Sequence, residues 1–241
     1  MISALYAARL NSSISAAYVE IGKGEMNRLR ETLLLTFALA SSLLLCTCAF
    51  AQSAADNRTR RVKDQTLTST SLPAIRVKFD KAFKYVGSQQ FILYDRTQVE
   101  QHFFIDADRQ QRLKRMYMVQ FESYLPNISG AYNYTVTKLL NLAGQSYIVD
   151  AEIVPNVPAA IKQDAQSDVA RAASFLEGKG YRIGEGIVFQ RFVRLVDEAK
   201  RSEFILLYVE DLSGAGIDAA EKEKGMQEFS GRALQGFKIL K

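Results

Sequence analysis

Val99–Leu125 reads VEQHFFIDADRQQRLKRMYMVQFESYL, and its period decides the fold class. Val99 to Ile105 is a strand-like run, and Asp106-Ala107-Asp108-Arg109 has the composition of a hairpin turn. Leu113 to Leu125 is a longer second strand, stopped by Pro126-Asn127. In a strand successive side chains point to opposite faces, and two such runs joined by a short polar turn pair antiparallel.

The same period extends outward on both sides. Ile75, Val77 and Phe79 alternate with Arg76, Lys78 and Asp80, and a further strand covers Phe83 to Tyr94, where Gly87-Ser88 marks a turn or a bulge. Beyond Pro126, Tyr132 to Val136 and Tyr147 to Val154 are shorter strand candidates with Leu139–Gly144 between them, and Pro155 and Pro158 end the sheet. A helix follows, with Ser167 as its cap, Val169, Ala172, Ala173 and Leu176 as its apolar stripe, and Gly178 or Gly180 at its end. Ile187 to Val196 and Glu203 to Leu212 flank a polar turn at Asp197-Glu198-Ala199-Lys200. Asp218 and Glu221 make a capping box for a last helix, in which Met226, Phe229, Ala233, Phe237 and Leu240 recur at helical spacing.

These runs predict an α+β domain over 73–241: an antiparallel sheet of about six to eight strands, with one internal helix and a C-terminal helix packed on one face. The order is similar to that of the PsbP-like and helix-grip folds, which lay a terminal helix against a curved antiparallel sheet. That likeness implies a ligand cavity between helix and sheet. Phe83-Lys84-Tyr85-Val86-Gly87, Glu100-Gln101-His102-Phe103-Phe104 and Val119 to Pro126 also resemble runs in exported bacterial proteins with no assigned activity, a likeness confined to residues 83–126.

Export is the firmest functional expectation. Arg28 and Arg30 precede an uncharged apolar run from Leu33 to Leu45, and Ala49-Phe50-Ala51 has small residues at the two positions a signal peptidase reads. Residues 26–51 therefore read as a signal peptide cleaved before Gln52, giving a periplasmic or secreted protein. An uncleaved anchor competes with this, because Leu33–Phe50 nearly reaches the ~20 apolar residues of a spanning helix. Residues 1–25 read as an over-extended start, since Gly22-Lys23-Gly24-Glu25 requires purine-rich codons like those of a ribosome-binding site before Met26. Residues 52–72 are polar and Ser/Thr-rich, the composition of a flexible leader.

Cys46 and Cys48 both lie in the signal segment, so a mature chain has no disulfide and no thiol. Losing 1–51 lowers the net charge only from +5 to +4, because four of the basic residues and three of the acidic ones go with it. The densest basic run, Arg58-Thr59-Arg60-Arg61-Val62-Lys63, is a solvated tail or a contact for anionic headgroups. No nucleic-acid motif is present.

The chemistry-bearing residues are few. His102 is the single histidine, and Glu100, His102, Phe104 and Asp106 share a strand face. A carboxylate beside an imidazole orients the ring for general-base work, so Glu100 and His102 are the catalytic candidates. Tyr117, Gln120, Glu122 or Tyr124 would complete a polar cluster from the paired strand. The competing reading is a half-exposed histidine on an outer face. One histidine and no mature cysteine leave no metal set, Asp106-x-Asp108 lacks the rest of a calcium loop, and no glycine pattern cradles a phosphate or cofactor.

Aromatic residues crowd the strands, which suits either an apolar ligand or an ordinary β core. The expectation is an exported, non-catalytic domain that binds a small apolar or amphipathic ligand, or an envelope protein. Tyr94, His102, Phe104, Tyr117, Glu122 and Tyr124 are its candidate ligand residues. The alternatives are a hydrolase- or lyase-type enzyme using His102, and a structural accessory without a pocket.

Overall fold

The computed structural model describes residues 59–136, 138–217 and 222–240. The signal segment, the upstream residues and the Asp218–Glu221 capping box lie outside them. Within the described residues the chain is mostly antiparallel sheet with three helices, an α+β domain. No helix among them is long and apolar enough to cross a membrane.

The strands are β1 (Arg60–Lys63), β2 (Thr66–Thr70), β3 (Ala74–Phe79), β4 (Lys84–Leu93), β5 (Thr97–Ala107), β6 (Leu113–Tyr124), β7 (Leu139–Leu142), β8 (Gln145–Val154), β9 (Ile187–Leu195), β10 (Ser202–Asp211) and β11 (Phe237–Leu240). The helices are α1 (Val157–Gln163), α2 (Asp168–Gly178) and α3 (Lys222–Gln235). One sheet has the order β1-β2-β3-β11 and the other β4-β5-β6-β10-β9-β8-β7.

The large sheet is apolar on both faces, which puts it in the middle of the layers. One face, with Phe104, Tyr117, Val119, Phe204 and Tyr208, packs against Leu67, Val77, Phe79 and Phe237 of the small sheet and Phe229 and Ala233 of α3. The other, with Phe103, Ile105, Met116, Met118 and Val209, meets Val157 of α1 and Ala172 and Leu176 of α2. Adjacent residues of one strand thus serve different layers, as the pleat requires. The expectation of both helices on one face is corrected here: α2 and α3 cover opposite faces.

Three further expectations change, and one helix appears that was not expected. The flexible leader is a leader only in part, because β1 and β2 run through it and Leu67 is fully buried. With so few large apolar residues, these strands rely on β-branched Thr66, Thr68 and Thr70 and on pairing to β3. The terminal helix stops at Gln235, and Phe237–Leu240 instead pairs with β3. The sheet strand β8 does end at Val154, directly before Pro155, but a helix that was not expected follows: Asn156 caps α1 by accepting from the Ala159 amide, with Pro158 in its first turn. Tyr132 to Val136 is not a strand.

Other details hold. Gly87 is a bulge, where the β4–β5 register shifts at φ +127°. Ser167 caps α2 by accepting from Ala170, though Val169 faces solvent and Ala170 takes its place in the stripe.

Candidate functional site

Two buried polar clusters lie on opposite faces of the large sheet. The first is built on β5. Glu100 and His102 share a face, and His102 Nε2 lies 2.7 Å from Glu100 Oε1. The Tyr85 hydroxyl lies 3.3 Å from Nδ1. With its proton on Nε2, the ring donates to Glu100 and accepts from Tyr85.

The other oxygen of Glu100 takes a bond from Arg60 Nη1 at 2.9 Å and one from Gln90 Nε2 at 3.1 Å. Arg60 also lies 3.8 Å over the Phe121 ring. Burial pushes the Glu100 carboxyl up, but the bonds and charges of His102 and Arg60 outweigh it and hold it below the ordinary value. His102 is 3% exposed, enclosed between the sheets and not half-exposed on an outer face.

The second cluster continues the Met116–Met118 face of β6 into polar residues. Glu122 accepts from Thr97 Oγ1 (2.8 Å), Tyr132 Oη (2.9 Å) and Gln120 Nε2 (2.8 Å). Its cross-strand partner on β10 is Glu203, which accepts from Tyr134 Oη at 2.6 Å. Gln101 Nε2 donates to Gln120 Oε1 at 2.7 Å, and Arg191 holds Asp150 in a two-bond pair at 2.9 and 2.6 Å.

Burial raises both carboxyls. Glu203 is carried to about 7 by burial, against the Tyr134 bond and with the help of the Glu122 charge. Glu122 is raised by burial, against the bonds from Thr97, Tyr132 and Gln120. Such a pair can store a proton near neutrality. Among the described residues no group of three or more His, Cys, Asp or Glu side chains is arranged to hold a metal ion.

The six ligand candidates therefore divide. His102, Phe104 and Tyr117 face the small sheet, and the Tyr117 hydroxyl is spent on the Ala233 carbonyl at 2.8 Å. Glu122 is in the second cluster, on the far side of β6 from His102, as the register pairing His102 with Val119 dictates. The polar cluster expected from Gln120, Glu122 or Tyr124 around the histidine is thereby corrected. Tyr124 packs on Tyr132 with ring centroids 4.9 Å apart. Tyr94, at the β4–β5 turn, donates to Asp164, and that bond pushes its hydroxyl up to about 12.

Sequence reading missed Arg60, Glu203 and the roles of Tyr132 and Tyr134. A local signal existed for Glu203: it heads the alternation Glu203, Ile205, Leu207, Val209, so an acid extends an apolar face. Arg60 had none, because its partner is forty positions away.

A third feature is on the surface. The outward face of the small sheet carries Arg61, Lys63, Arg76, Lys78 and Lys238, and bounds an open concavity of about 550 Å³.

No protein-family model, curated protein or solved structure matches this chain.

Proposed function

We propose that the protein is a non-catalytic binding domain of the cell envelope that engages its partner with its exterior, not with an internal cavity. The observation that carries this is the closure around His102. Both ring nitrogens have partners, Glu100 is held by Arg60, and Phe121 and Tyr85 flank the ring at centroid distances of 6.1 and 6.2 Å. A general base must reach a substrate proton, and these groups are committed to one another. The enzyme reading is thereby disfavoured.

The same region argues against an apolar ligand under the terminal helix, the reading that PsbP-like or helix-grip-like architecture would favour. Phe79 stacks on Phe104 at 4.0 Å, and Tyr117 lies 4.7 Å from both Phe83 and Tyr208. Tyr208 in turn lies 5.5 Å from Phe229 of α3. Aromatic side chains fill the layer that a ligand would occupy. The export signal read at 26–51 supports the envelope address.

The test is native mass spectrometry of the protein purified from the envelope fraction of its own host. A mass without a small-molecule adduct is expected, and a co-purifying apolar molecule would overturn the reading. In a hydrolase and lyase screen, His102→Gln should behave as the parent; an activity lost in that variant would restore the enzyme.

A further inference from the structure

We propose that the outward face of β1-β2-β3-β11 docks the protein on an anionic phospholipid bilayer. This rests on the reading of the protein as a surface-acting binder and names the surface and its partner.

The alternation of these strands sorts their residues by face. Arg60, Val62, Leu67, Ile75, Val77 and Phe79 turn inward, and Arg61, Lys63, Arg76 and Lys78 turn out. The basic run at 58–63 is thus divided by the pleat: Arg60 serves the core, and Arg61 and Lys63 serve the surface.

Register aligns the outward cations in rows. Lys63 pairs with Thr66, Thr66 with Lys78, and Lys78 with Lys238, so one row crosses all four strands. The next outward row is Arg61, Thr68, Arg76 and Leu240. Neighbouring strands are about 4.8 Å apart, so five cations fall within a patch roughly 14 Å wide. Like charges directly opposite one another destabilise a sheet, and Lys78 faces Lys238 directly.

Within the described residues this charge is left without ion-pair partners. Among the described residues none of the five makes an ion pair, whereas Arg60, Arg112, Arg115, Arg191 and Arg232 each do. Among the described residues the one carboxylate on the concavity is Asp64, at the β1–β2 turn. An external anion is what the face lacks.

Two observations favour lipid headgroups over a polymer. The cations form a two-dimensional patch on three of the four strands, β1, β3 and β11, and the residues between them are threonines and a leucine. Among the described residues that line this concavity there are no aromatic platforms, on which nucleic-acid bases stack.

The test is flotation of the full chain, purified from its host, with vesicles of phosphatidylcholine alone or mixed with phosphatidylglycerol. Selective binding to the mixed vesicles, lost at about 0.5 M salt, is expected. Each basic residue near an anionic surface is worth about fivefold in partitioning. The double variant Arg76→Gln, Lys78→Gln should therefore bind about 25-fold more weakly, while Arg109→Gln, Lys114→Gln should bind as the parent. Thermal melts of both variants, matched to the parent, exclude misfolding.

Equal binding to the two vesicle types, or an unaffected Arg76/Lys78 variant, would overturn the proposal. Retention on heparin or DNA without vesicle binding would overturn the lipid and assign the face to a polyanionic polymer. An apolar adduct in the native mass would overturn the surface-acting reading by a different observable.

Discussion

Glu122 and Glu203 are direct cross-strand partners on β6 and β10, on the face of the large sheet that α2 covers, and both are almost wholly removed from water at 7% and 3% exposure. Each receives a tyrosine hydroxyl from the same connecting segment, Tyr132 for the first and Tyr134 for the second. Two like charges in neighbouring buried positions disfavour double ionisation, and the rise of Glu203 to about 7 expresses that together with burial. The pair is a liability that the fold tolerates, with the tyrosines as partial compensation.

Stability should therefore fall as pH rises through this pair's titration. Glu203 is protonated in both folded and unfolded chains below its ordinary value of 4.5, and only in the folded chain between there and about 7. The folded state binds the extra proton in that window, so unfolding free energy declines across it and levels above. The decline from this group is about 3 kcal/mol, with Glu122 acting in the same direction. Urea unfolding at pH 5 and pH 8 measures it, and Glu203→Gln should flatten the profile and stabilise the protein at pH 8.

Arg60→Met should destabilise by about 2 kcal/mol at pH 7, below the range for a fully buried pair because Arg60 and Glu100 keep some solvent contact. The loss should concentrate on the small sheet. Amide exchange in β1 and β2 should accelerate more than in β6 or β10, and uniform acceleration would show that Arg60 does not latch β1 to β5.

Gly236→Ala should cost about 2 kcal/mol, in the range of overpacked cores. An added Cβ would lie 2.6 Å from Tyr117 Oη, 2.8 Å from Tyr117 Cε2 and 2.9 Å from Phe83 Cε2. Those rings are buried against one another and have little room to yield. Gly231→Ala, where the added atom meets nothing within 4 Å, is the control and should be neutral or stabilising.

Arg232→Leu should cost about 3 kcal/mol by leaving Glu210 buried and unpaired. Arg232 binds both oxygens of Glu210 at 2.9 and 2.8 Å and also the Ala215 carbonyl at 2.9 Å. The double variant Arg232→Leu, Glu210→Gln should recover part of the loss, and denaturant unfolding of the four proteins closes the cycle.

Much of the sheet was legible because its signal is local. The alternation of Val99–Ile105 and Leu113–Leu125 identified the β5–β6 hairpin, and the pairing of Glu100 with His102 followed from their spacing on one strand. The C-terminal segment shows where locality fails. Phe237 and Leu240 fit a helical stripe as well as a strand, and Gly236 with the open edge of β3 decides for the strand. Tyr132–Val136 has strand-like alternation without becoming a strand, since its tyrosines are drawn to the carboxylates of β6 and β10.

What the sequence determined by itself is which residues share a face, because backbone geometry sets that period whatever surrounds the strand. It placed Glu100 with His102 on one face of β5. Only the tertiary structure decided what covers each face. The register across β5 and β6 sends Glu122 away from His102, Arg60 closes the histidine from forty positions upstream, and Tyr117 reaches Ala233 across 116. Such contacts depend on strand order and layer packing, which arise from the burial of the whole chain and leave no period in any one segment of it.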